Sequence, residues 1–328
     1  MPVFKKVEGP LRMVFIGCGF ITRKHSNTLK AFDGVHLYYA SREEKKAKEF
    51  SGKYKGFGYF GSYSSAIASP DIDVVFIATP PDSHLQLAVE AMSAGKHVIV
   101  EKPPFFRSSD FDNIDKLRQQ HHTQLLIAEN YFYKPVLQKL RQAVSGNFIG
   151  DIKFLFFNAT KTQKIVDWRG DVRTAGGGAL FEGGIHWINF ISNLGLTVRS
   201  ITGFRPGCSN PNHTMELSMQ VVAEYEEGAV GTLLYSWEVN ALFKGLRLSR
   251  IYGSRGSITF ESNGLFIFIR GDKWKLIFPG MSNIGGTKLM FRDFFEALRN
   301  GEEAQFSFAM AKSDVMWIEQ AYKTASHS

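Results

Sequence analysis

The chain has 328 residues, room for two domains, and its 44% hydrophobic and 21% charged residues give the ordinary balance of a soluble globular protein with a sizeable core. The formal net charge of +8 comes from scattered basic residues with one short cluster, Lys45, Lys46 and Lys48. That is no stripe for tracking a nucleic acid, so a nucleic-acid partner is not expected, although phosphorylated or acidic ligands would be attracted. Cys18 and Cys208 lie far apart without metal-ligand spacing, and the adjacent His121 and His122 have no third ligand nearby, so neither a disulfide framework nor a metal site is expected. No apolar run reaches the roughly 18 residues of a membrane span. The short, charged start lacks the apolar core of a secretory signal, and the expected compartment is the cytoplasm. Most of the 29 phenylalanines lie beyond residue 100, which predicts aromatic surfaces in the second half, a subunit interface among them.

In chain order, continuous apolar runs at residues 11–16, 35–40, 73–79, 97–102 and 124–130 predict strands covered on both faces. Helical patterns separate them. One starts with Asp82 as N-cap after Pro80-Pro81 and runs to about Ala94 before Gly95; another starts at Ser108 or Ser109. Strand and helix alternating at this spacing predict a parallel Rossmann-type sheet over residues 1–130. Beyond, a helix from Pro135 leads into strand patterns at 152–160, 217–225, 229–239, 246–253, 257–261 and 265–270, with hairpin turns at Glu227-Gly228 and Asn263-Gly264. One helix, 179–193, interrupts them, and helices return at 291–299 and 309–325. The second domain, 131–328, is therefore expected to be α+β on a mainly antiparallel open sheet.

Gly17-Cys18-Gly19-Phe20-Ile21-Thr22 follows the first strand and opens a helix. Gly17 permits a tight turn. Gly19 lets a pyrophosphate approach the backbone at the helix N-terminus, beside Phe20 and Ile21. The third glycine of this fingerprint is replaced by Thr22, whose bulk predicts a helix set slightly farther out. An NAD-specific site would carry Asp or Glu at the end of the second strand, where this chain has Ala40-Ser41-Arg42. Arg42 can fork onto a 2′-phosphate and stack on adenine, and Ser41 can bond the same phosphate, so NADP is the expected cofactor, with NAD the alternative. Ser41-Arg42-Glu43-Glu44 also reads as a capping box with Ser41 as N-cap.

Three further segments carry a resemblance. They are Ala78-Thr79-Pro80-Pro81-Asp82-Ser83-His84; Ala94-Gly95-Lys96-His97-Val98 running into Glu101-Lys102-Pro103; and the Gly-rich stretch from Gly176-Gly177-Gly178 through Glu182 to His186. With the glycine turn, they resemble the Gfo/Idh/MocA oxidoreductases over nearly the whole chain. The resemblance implies a Rossmann domain followed by a domain whose open sheet often serves oligomerisation. It also implies hydride transfer between a nicotinamide and a sugar, polyol or related small carbonyl compound. By match of motif, Lys102 is the active-site lysine and His186 the active-site histidine. Thr79, Pro80, His84 and Glu101 line the cofactor, Asn130 lies near the nicotinamide, and Trp168-Arg169 is a loop approaching cofactor or substrate. The family commonly has Asp where this chain has Glu182 and Asn189, and the C-terminal edge after Tyr322 is expected to be abbreviated.

The chemistry needs a base for the O–H proton and a charge to steady the developing alkoxide. Lys102, just past the carboxyl end of a parallel strand, can supply the charge. His186 can exchange the proton. Glu182, four residues earlier on the same helix face, can orient His186 or contact substrate. The three glycines before this helix predict close backbone approach by a ligand. A non-catalytic nucleotide sensor on the same fold is the alternative, and retention of both Lys102 and His186 argues against it. Lys161, Lys164, Arg169 and Arg173 leave an acidic or phosphorylated sugar open as substrate.

Overall fold

In the computed structural model, residues 4–207, 215–241 and 245–325 are described; Cys208 lies outside them. The chain folds as two compact units, Met1–Ala128 with Lys288–Lys312, and Glu129–Thr287 with Ser313–Ser328. The linear boundary at residue 130 thus has no counterpart for Lys288–Lys312, which groups with the first unit.

The first unit runs β1 (Leu11–Ile16), α1 (Phe20–Leu29), β2 (Val35–Ala40), α2 (Glu44–Tyr54), β3 (Gly58–Phe60), α3 (Tyr63–Ala68), β4 (Val74–Ile77), α4 (His84–Ser93), β5 (His97–Val100), α5 (Asp110–His121) and β6 (Leu125–Ile127). Its six strands are parallel in the order β3-β2-β1-β4-β5-β6. Strands β4, β5 and β6 are buried at every position, as their unbroken apolar sequences require. The strand order reverses between β1 and β4, the place where open α/β sheets bind ligands. Asp82 is not an N-cap. It sits inside a 3₁₀ turn, Pro81–Ser83, because Pro81 opens a tight turn that precedes α4.

The second unit runs α6 (Pro135–Ser145), β7 (Ile152–Thr160), α7 (Val172–Ala175), α8 (Ile185–Ser192), β8 (Val198–Phe204), β9 (Ser218–Tyr225), β10 (Val230–Ser236), β11 (Leu248–Gly253), β12 (Gly256–Glu261), β13 (Ile267–Arg270) and β14 (Trp274–Ile277). These eight strands form one sheet, β14-β13-β12-β11-β7-β10-β9-β8. Among the described residues of this sheet, only the β7/β10 pair is parallel. Period-2 alternation sends Leu155, Phe157 and Ala159 of β7 into the core, where Phe157 meets Phe190 of α8 at 6.0 Å between ring centroids. The expected helix 179–193 is in fact a π turn, Leu180–Gly184, followed by α8, and the poor helix formers Gly183-Gly184 mark the widened turn.

Two helices close the chain, α9 (Thr287–Asn300) and α10 (Phe308–Ala325). Beyond Thr287, α9 belongs to the first unit and buries Met290, Phe291, Phe294, Phe295 and Leu298 along one face. Phe291 lies 5.2 Å from His25 and 6.1 Å from Phe76, and Phe295 lies 5.4 Å from Phe32, centroid to centroid. Several late phenylalanines are therefore core of the first unit rather than surface of the second. Full burial of each such ring contributes about 1.5–3 kcal/mol.

Candidate active site

The nucleotide turn is built at the end of β1. Gly17 has φ 99°, and a Cβ there would stand 3.0 Å from the Ala78 carbonyl oxygen, so only glycine fits. Gly19 is the N-cap of α1 and has no side-chain cap; a Cβ there would meet nothing within 4 Å. The first-turn N–H groups that open at Phe20 and Ile21 therefore face an unblocked approach, which suits a pyrophosphate. Phe20 is 77% exposed beside this approach. Thr22 acts otherwise than expected. It is fully buried, and its hydroxyl donates to the Gly17 carbonyl at 2.6 Å, so its bulk is used to close the turn.

At the end of β2, Ser41 is not an N-cap. Its hydroxyl accepts from the Glu43 N–H at 3.2 Å, and the N-cap of α2 is Glu43. The Ser41 turn delays the helix by two residues and leaves Arg42 exposed, within hydrogen-bonding reach of Tyr63.

The loops after β4 and β5 are tied together from behind. His84 is fully buried, with Nδ1 2.9 Å from the Pro103 carbonyl and Nε2 2.9 Å from the Thr79 carbonyl. Burial pushes its pKa down, against these carbonyls. The expectation that His84 lines the cofactor is corrected: it is a strut between the Thr79 loop and the Pro103 loop. Thr79 and Pro80 remain part-exposed, and the Thr79 hydroxyl bonds the Ser83 hydroxyl at 2.7 Å. Glu101 is likewise turned inward. One oxygen is 2.5 Å from His25 Nε2 and the other accepts from the Lys102 N–H at 3.2 Å. Burial alone would raise the Glu101 carboxyl, but the bonds from His25 and Lys102 outweigh it and hold the group below its ordinary value. Glu101 thus anchors the backbone that presents Lys102, which is half-buried at the carboxyl end of β5.

In the second unit, Gly177 and Gly178 serve internal packing, and Gly176 is the left-handed C-cap of α7. The Cβ that Gly178 lacks would collide with the Glu216 carboxylate, which accepts from the Leu180 N–H at 2.9 Å and the Tyr322 hydroxyl at 2.7 Å. Buried Glu182 receives Nε of Arg169 at 3.1 Å, and the Arg169 guanidinium stacks 4.5 Å over Trp168. So Glu182 organises the Trp168-Arg169 loop. The group that holds His186 is Glu129, with Nδ1 2.6 Å from Oε1 and 2.8 Å from Oε2. Tyr131 stacks on the imidazole at 4.4 Å and 11°. Glu129 and Tyr131 flank the already noted Asn130, and a carboxylate just past the last parallel strand was the available signal. Asn130 itself donates to the Gly285 carbonyl at 2.5 Å. Asn189 donates to Asp314 at 2.7 Å, and burial raises the Asp314 carboxyl well above its ordinary value.

Two family descriptions match this chain: an oxidoreductase family with an NAD-binding Rossmann fold over residues 11–129, and the GFO/IDH/MocA C-terminal domain over residues 137–259. The chain belongs to the Gfo/Idh/MocA family of oxidoreductases. The 4-carboxy-2-hydroxymuconate-6-semialdehyde dehydrogenase of Sphingobium sp. is 26% identical over 306 residues, spanning 91% of this chain and 94% of that protein. Among solved structures, the aldose-aldose oxidoreductase of Caulobacter crescentus, complexed with glycerol, superposes with a TM-score of 0.86 at 20% identity over 97% of this chain and 98% of that one. A levoglucosan dehydrogenase complexed with NADH and levoglucosan gives 0.83 at 21% identity over 97% of each chain. Both have this fold. Among the described residues no helix is long and apolar enough to cross a membrane.

Proposed function

We propose that this oxidoreductase is an NADP-dependent dehydrogenase or reductase of sugars, polyols or related small alcohols and carbonyls, with Lys102 and His186 as its catalytic residues. The observation that carries the reading is His186: a carboxylate holds one nitrogen of its imidazole, and its side chain keeps 15% of its surface exposed. Gly17, Gly19, Phe20 and Ile21 hold the pyrophosphate, and Thr79, Pro80 and Asn130 the nicotinamide end. When bound, the nicotinamide accepts or returns hydride. His186 takes the alcohol proton, Lys102 steadies the developing alkoxide, and Glu182 positions the Trp168-Arg169 loop toward the ligand. The sugar-acting neighbours support the substrate class.

Arg42 supports the choice of NADP, since its exposed guanidinium replaces the carboxylate that would bond a free 2′-hydroxyl. Arg42→Ala is expected to reduce the ratio of kcat/KM for NADP over NAD about 10-fold or more, a loss within the reach of one charge-assisted bond. Rates with D-glucose, levoglucosan, myo-inositol and glycerol, measured in wild type, Lys102→Ala and His186→Asn, test the catalytic assignment. Wild-type turnover in both variants rules it out, and cofactor binding without turnover on any alcohol favours a sensor instead.

We also propose a homo-oligomer through the open sheet face. The strand register sets Phe154 beside Tyr252 and Val230, and Phe268 beside Leu276, on one face. Phe154 is 64% exposed there. Phe154→Glu is expected to lower the mass in light scattering, and an unchanged monomeric mass in wild type removes the idea.

A further inference from the structure

We propose that Glu129 is the positioning residue of His186, fixing the proton on Nδ1 and leaving Nε2 as the atom that takes and returns the substrate proton. The inference rests on the assignment of His186 as the proton-exchanging group.

A carboxylate only accepts hydrogen bonds, and both Glu129 oxygens lie within 2.8 Å of Nδ1, so Nδ1 carries the hydrogen. In the neutral ring the lone pair then sits on Nε2. Glu129 is itself held in place. Its side chain is 2% exposed, and Oε1 also accepts from the Tyr131 N–H at 2.9 Å, capping the turn Asn130–Tyr133. That turn delivers Tyr131 flat against the imidazole, and the Lys134 ammonium sits 4.1 Å over the Tyr131 ring. One short segment therefore sets the tautomer, the tilt and the position of the ring.

Charged groups on the neighbouring elements have partners of their own, and Glu261 acts on both Tyr131 and Lys134. Glu182, on the preceding turn, receives Arg169. Asp314, which faces Glu129, is bonded to Asn189, and burial favours its protonated form. Lys134 and Arg247 face Tyr131 and oppose each other's charge; burial brings Lys134 down to about 8. The carboxylate seen against Nδ1 is Glu129. In alcohol oxidation, Nε2 would take the O–H proton, and a bound oxidised nicotinamide would supply the acceptor for the hydride that leaves the C–H as the C=O forms. Glu129 stabilises the resulting imidazolium until it releases the proton to water.

The test is nitrogen-15 NMR of histidine-labelled full-length protein with NADP, in wild type, Glu129→Gln, Glu129→Asp and His186→Asn. In wild type, the resonance that His186→Asn removes should show a protonated Nδ1 and a bare Nε2. Gln can donate to Nδ1, so Glu129→Gln should move the hydrogen to Nε2 and lower the titration midpoint of this ring by about one pH unit or more, the size of a lost opposite charge. Glu129→Asp should keep the wild-type tautomer. Turnover with the best alcohol of the panel should fall about 10²-fold in Glu129→Gln, with KM changed far less. A protonated Nε2 in wild type, or an unmoved midpoint in folded Glu129→Gln, overturns this inference alone. Wild-type turnover in His186→Asn overturns the functional assignment and this inference with it. A purely structural Glu129 would lower the melting temperature and leave tautomer and midpoint where they were.

Discussion

Among the described residues, each unit holds a Glu–His pair on a buried carboxylate, and the two differ most in how far the imidazole is sealed. In the first, His25 Nε2 lies 2.5 Å from Glu101, and the side chains are 5% and 9% exposed. Phe76 and Phe291 wall the imidazole in, and its Nδ1 has no hydrogen-bond partner among the described residues. In the second, His186 lies 2.6 Å from a Glu129 that is 2% exposed, but the histidine keeps 15% of its surface. The bonds are of similar length. A sealed imidazole cannot trade a proton with a ligand, so the first pair braces the Lys102 turn; the second keeps an open edge and can do chemistry. Pairing alone marks neither role.

His186→Asn tests that contrast most severely. Turnover is expected to fall about 10²- to 10⁴-fold, the usual contribution of a general acid/base, while the urea midpoint moves little. His25→Leu should act mainly on stability, leaving buried Glu101 without its imidazole partner at a cost of about 3–5 kcal/mol in urea unfolding. Equal behaviour of the two variants in both assays would erase the distinction.

Smaller effects separate buried acids by sign. Glu101 is held below its ordinary value of 4.5, so the native state binds its proton less tightly than the unfolded chain. Its contribution is present above pH 4.5 and lost as pH falls through the lower folded-state value. Stability measured in urea from pH 6 downward should therefore drop more steeply in wild type than in Glu101→Gln. Asp314 is raised well above 3.8, so its native state binds the proton more tightly and loses stability as pH rises from 3.8. Asp314→Asn should accordingly stabilise the protein at pH 7, with a gain that shrinks toward pH 3.8. A gain that grew with acidity would reverse the reading of that site.

The strands that carry the nucleotide turn were legible because β1, β4 and β5 are mainly apolar, as strands buried at nearly every position need to be. Lys102 and His186 were legible as motif positions. Their supports were not. His25 and Glu101 are 76 residues apart, and Glu129 and His186 are 57 apart, so no local spacing relates them. Local spacing pointed to Glu182 as an orienter of His186 or a substrate contact, and gave no sign that it also receives the loop residue Arg169. Strand β14 escaped notice because its four residues are short and largely exposed, and carry no buried alternation. The stripe of α9 announces that one face is buried without saying against which sheet.

The return of Lys288–Lys312 to the first unit has a consequence for how the protein is made. Translation delivers β1 through β6 early, but the helix that covers His25, Phe32 and Phe76 is made only after the whole β7–β14 sheet. Until that helix emerges, the nascent nucleotide-binding half carries an uncovered aromatic surface. A ribosome that stops before this segment therefore releases an adhesive fragment, and the cofactor domain is finished only once Lys288–Lys312 has been made.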